Sequence, residues 1–73
     1  MRLSEFRIAV TEEFGEAYGR ALVRDLVIDE LGGRTPEQAL EAGIKPGEVW
    51  VALCRASDVP QERWHGRGRP LRA

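Results

Sequence analysis

The chain has a single cysteine, Cys54, and a single histidine, His65. One thiol makes no disulfide within the chain and fits a reducing compartment. Cys54 and His65 together fall short of the four ligands of a structural zinc site, so no metal is expected. No apolar run approaches the ~20 residues that span a bilayer. The N-terminus, MRLSEFRIAV, is too short and too charged for the apolar region of a signal peptide. A cytoplasmic protein without membrane contact is expected. Catalytic groups are equally scarce. The hydroxyls are Ser4, Thr11, Tyr18, Thr35 and Ser57, several at cap positions, and His65 lies in the C-terminal tail. No Ser/His/Asp or Cys/His set falls on an ordered frame. Gly32-Gly33 follows a helix, whereas a phosphate-binding loop precedes one. Neither a catalytic residue nor a cofactor is expected.

What the chain does have is a charge asymmetry. Residues 1–62 carry 7 Lys/Arg and 12 Asp/Glu, a net −5, while residues 63–73 carry four Arg and no acid, a net +4. The body repels nucleic acid weakly and the tail attracts it. At 73 residues there is room for one domain, which buries only about 60% of its unfolded surface.

Apolar spacing predicts four helices. The first runs from an N-cap at Ser4 to Phe14, with Leu3, Phe6, Val10 and Phe14 as its stripe and Glu12 and Glu13 facing solvent. The second covers Glu16 to Leu31, with Tyr18, Leu22, Val23, Leu26, Val27 and Leu31 apolar and Glu16–Arg20 paired at i,i+4. Asp25 and Asp29 then lie one turn apart as a solvated pair beside Arg24. Gly32-Gly33 ends that helix. Thr35 caps a short third helix from Pro36 to Ala42, with Gln38 completing a capping box. Gly43 stops it, Ile44 plugs the turn, and Pro46 opens a fourth helix to Ser57, apolar without interruption from Val49 to Cys54. The predicted fold is all-α: a small four-helix domain over residues 1–62, its second half helix–turn–helix-like. A flexible basic Arg/Gly/Pro tail over 63–73 follows, with Trp64 folded back.

Three motifs in order, MRLSEF, FGEAYGRALVRDLVIDELGGRTPEQALEAG and PGEVWVALC followed by DVP, resemble a family of small actinobacterial proteins grouped only as a domain of unknown function. The resemblance covers about residues 1–64. It implies a short cytoplasmic helical protein with no assigned activity and no catalytic residues to carry over. Members are often encoded beside the recombinase of homologous strand exchange and its regulator, which implies an association with DNA repair.

Three uses of the fourth helix stay open. As a DNA reader it would present Lys45, Pro46, Gly47, Trp50, Val51 and Cys54, of which only Lys45 suits a phosphate or base. As a packing unit it would bury Trp50 and Cys54, the latter as an inert thiol. As a partner surface it would leave Trp50, Val51 and Cys54 as an apolar patch for another protein or a second copy. In the tail, Arg67, Gly68, Arg69 and Pro70 form the core of an AT-hook, in which glycine lets two arginines lie along a narrow A·T-rich minor groove. The expected function is non-catalytic binding. A protein-interaction module with an unidentified protein partner or self-association stands first, and a DNA-associated accessory protein on A·T-rich duplex second.

Overall fold

The computed structural model describes residues 1–64. Four α-helices follow in order: α1 Leu3–Phe14, α2 Glu16–Asp25, α3 Pro36–Glu41 and α4 Pro46–Ala56. Short 3₁₀ turns cover Asp29–Leu31 and Gln61–Arg63. Among the described residues there is no strand, only an isolated bridge between Ile28 and Arg34. The domain is small and all-α, as its periodicity predicts.

The helix ends follow from single residues. Arg2, not Ser4, holds the N-cap position of α1, and the Glu5 carboxylate accepts the Arg2 backbone N–H at 2.7 Å. Gly15, at φ 87°, closes α1 and opens α2, so the two helices fold back on each other without a longer loop. Thr35 and Gln38 form the expected capping box: Thr35 Oγ1 accepts the Gln38 N–H at 3.1 Å, and Gln38 Oε1 accepts the Thr35 N–H at 3.0 Å. Gly43, at φ 94°, gives α3 a Schellman ending, with Gly43 N–H on Leu40 O at 3.1 Å and Ile44 N–H on Ala39 O at 3.0 Å. The same ending recurs after α4 with a non-glycine residue. Asp58 sits at φ 58°, its N–H reaches Arg55 O, and the Val59 N–H bonds Cys54 O at 2.9 Å. Val59 is thereby buried as the apolar plug.

One expectation fails. The second helix does not run to Leu31; it ends at Asp25, and the chain continues extended through Leu26 to Ile28. A continued helix would turn Ile28 about 140° away from Val23, off the buried stripe. Leaving the helix buries both Ile28 and Leu31. Ile28 also donates its N–H to Arg34 O at 3.0 Å, and Gly32 and Gly33 both take positive φ to close the loop. Asp25 and Asp29 are therefore not neighbours on a helix. Asp25 pairs with Arg24 at 2.9 Å.

α4 is the centre of the core. Val49, Leu53 and Cys54 are wholly buried, and Ala52 nearly so. Phe6, Ala9 and Val10 of α1, Val23 of α2 and Ala39 of α3 complete the core around it. Gly19 lets α1 and α2 approach closely, since a Cβ there would lie 2.7 Å from Val10 Cγ1.

Candidate interaction surface

Trp50 decides between the readings of α4, because it is the largest side chain of the apolar run. It is 3% exposed. Phe6 and Phe14 meet it edge to face, each with centroids 6.4 Å away. Its indole N–H donates to the backbone oxygen of Trp64. An aromatic ring that is buried with its N–H satisfied is a core residue. Trp50 and Cys54 are thus corrected from surface to core. Val51 alone of the three is partly exposed, beside Leu31, Ile44 and Arg55 in a shallow depression. The outward polar residues of α4 are Glu48 and Arg55, and Arg55 is paired with Glu30. Lys45 is exposed at the N-cap position of α4. The start of α4 therefore carries one charge of each sign, Lys45 and Glu48.

Burial pushes the Cys54 thiol up to about 12, and the nearby Glu13 carboxylate adds to the shift. A thiol so protonated is a poor nucleophile and a poor metal ligand. Among the described residues no three His, Cys, Asp or Glu come close enough to hold a metal ion. No described helix is long and apolar enough to cross a membrane.

The segment after α4 packs against the helices through Arg63 and Trp64. Arg63 forms an ion pair with Glu13, whose side chain is 3% exposed. Glu13 is therefore not a solvated residue of α1. The Trp64 indole N–H donates to Val59 O at 2.9 Å, and the Arg55 guanidinium lies 5.6 Å over the Trp64 ring. The fold-back of Trp64 is as expected, but the boundary placed after residue 62 falls inside this packed turn. His65 and the tail residues Arg67, Gly68, Arg69 and Pro70 lie outside the described residues.

With Trp50 enclosed, the exposed apolar surface lies elsewhere. Tyr18 and Val27 are 63% and 60% exposed. Tyr18, Leu22 and Leu26 recur every four residues, in line with Phe14, and form one wall of a groove of about 360 Å³. Ser57 to Pro60, after α4, form the other wall. Leu26 and Ala56 also line a second depression that carries the groove on past Val27, Asp29 and Glu30. Tyr18 stands on the Phe14 ring with centroids 6.2 Å apart, which holds it upright at the groove mouth. The four-residue spacing of this wall is visible in the sequence. It reads there only as the apolar set of the second helix, because spacing does not say where the neighbouring elements stop.

The chain belongs to the family described as "Protein of unknown function (DUF3046)", which matches residues 1–62. No curated protein and no solved structure matches it. The family description assigns no activity, so a functional reading has to come from the surface itself.

Proposed function

We propose that this domain is a non-catalytic protein-interaction module whose contact surface is the groove between α2 and the end of α4. The observation that carries the reading is the exposure of Tyr18 and Val27, beside Leu22 and Leu26, along two adjoining depressions with polar rims. Exposed aromatic and aliphatic side chains that share a groove are what a partner's apolar residues can desolvate. The site thus moves from the Trp50 face to the opposite end of the aromatic cluster, which Trp50 supports from within.

A photo-crosslinking amino acid placed at Tyr18 or Val27 tests the reading in cells, with exposed Glu41 on α3 as the control position. A discrete protein adduct from positions 18 and 27, absent from position 41, is the expected result. Equal labelling from all three positions, or none, rejects the groove.

The charge pattern favours a second reading, a DNA-associated accessory protein, for which the family resemblance implies a link to DNA repair. Its basis is the four arginines and absence of acids in residues 63–73, with the RGRP sequence at 67–70. Binding would fall steeply with salt and would rest on the tail, since the body is acidic. Anisotropy on A·T-rich and G·C-rich duplexes tests it. Arg67→Ala with Arg69→Ala should abolish a preference for A·T, and unchanged affinity in that double variant rejects the tail's role.

A further inference from the structure

Resting on the reading of the groove as the contact surface, we infer that it takes a peptide segment whose apolar side chains are flanked by lysine or arginine. The exposed Tyr18 and Val27 side chains fix the first half of that description and the rim fixes the second. Two rim cations are already neutralised from within the fold: Arg63 by Glu13 and Arg55 by Glu30. The rim acids Asp29 and Asp58 have no ion-pair partner among the described residues. Asp58 lies on the stretch of groove beside Tyr18 and Leu22, and Asp29 on the stretch beside Val27. Among the described residues the groove therefore presents two negative charges with no cation paired to them, one along each stretch. An acidic segment would be repelled, whereas a basic one finds an acid on each stretch. The exposed Tyr18 ring adds a face on which a cation can sit.

The test uses the full chain and a designed amphipathic peptide of leucine and lysine. Its leucine–glutamate counterpart serves for comparison, with both read by fluorescence anisotropy across a salt series. Asp29→Asn with Asp58→Asn removes both rim charges and keeps the fold, because asparagine tolerates the left-handed backbone at position 58. Glu37→Gln with Glu41→Gln removes the same charge from α3, away from this groove. We expect binding of the lysine peptide only, weakened about five- to tenfold in the Asp29/Asp58 variant and by raised salt, from two partly exposed ion pairs. The Glu37/Glu41 variant should bind within about twofold of the parent chain, since its acids lie away from the rim. Tyr18→Ser, at an exposed position, should weaken binding about tenfold or more through lost apolar contact.

Equal binding of both peptides, equal loss in the two double variants, or no binding at all overturns the inference. So does a dimer in sedimentation that Tyr18→Ser dissolves, because a second copy would then be the occupant. Cross-links from position 18 that persist while the lysine peptide fails to bind overturn the inference alone and leave the groove reading standing. Loss of the cross-links as well removes both.

Discussion

Replacing Gly19 by alanine adds one methyl group at the point where α1 and α2 cross. Two effects oppose each other. Alanine is the better helix former by about 1 kcal/mol, so at an open position the change would stabilise. At position 19, however, the new Cβ would stand 2.7 Å from Val10 Cγ1 and 3.1 Å from the Val10 carbonyl oxygen. Carbon pairs are at rest near 3.5–4.0 Å, so the first contact must open by roughly 1 Å. Val10 has little freedom to yield. It is β-branched, sits within α1 and is buried, and such a side chain has one strongly preferred helical rotamer. The helices must separate instead, and overpacking of this kind costs about 1–3 kcal/mol. The net expectation for Gly19→Ala is a loss of up to about 2 kcal/mol, a fall in Tm of up to roughly 15 °C for a domain of this size. Urea denaturation followed by tryptophan fluorescence reads it. Val10→Ala supplies the decisive second background, because it removes the γ-carbon that the added methyl group would strike. There, Gly19→Ala should cost at least about 1 kcal/mol less, a coupling characteristic of residues in contact. A Gly19→Ala chain more stable than its parent by the full helix-propensity gain of about 1 kcal/mol, or an effect that is the same in both backgrounds, would refute the account of the α1–α2 crossing.

Three further outcomes rest on single residues. Asp58→Gly should stabilise the chain by about 0.5–1 kcal/mol, because glycine takes the left-handed backbone at φ 58° without Cβ strain; an unchanged urea midpoint would contradict this. Cys54 titrates near 9 in the unfolded chain and near 12 when folded, so above pH 9 the unfolded state loses a proton that the folded state keeps. Its stabilising contribution is full below pH 9 and should be lost by about 1.4 kcal/mol per pH unit from there to 12, a slope that Cys54→Ala should lack. The difference between the two chains in denaturation at pH 8 and pH 10 measures it. Arg63→Ala strips the cation from the enclosed Glu13 carboxylate, so the urea midpoint should fall, and Glu13→Gln in that background should recover part of the loss.

Much of the architecture is legible in the sequence. Thr35, Pro36 and Gln38 specify the start of α3, and Gly43 with Ile44 its end, because each acts through the backbone of residues three to five positions away. Local signals of that kind survive whatever the rest of the chain does. The end of α2 is not legible. Tyr18, Leu22, Val23, Leu26 and Leu31 suit a longer helix, and the chain leaves it at Asp25 where Ile28 and Leu31 are buried against the other elements. The site is misplaced by the sequence for a related reason. An unbroken apolar run from Val49 to Cys54 fits an exposed patch and a buried helix alike, and the aromatic frame of Phe6 and Phe14 selects burial. Glu13 reads as a solvated acid, since its partner Arg63 is fifty positions away.

By itself, then, the sequence determined the fold class, the order of the four helices, the capping of α3 and the contrast between an acidic body and a basic end. These depend on periodicity, on caps and on counted charge, all of which act within a few residues or do not need a position in space. The tertiary structure alone decided that Trp50 and Cys54 are core, that Glu13 and Arg63 clasp the turn after α4 to α1, and that Tyr18 and Val27 remain outside. Each of those outcomes depends on which distant element covers a side chain, and desolvation is set by neighbours in space.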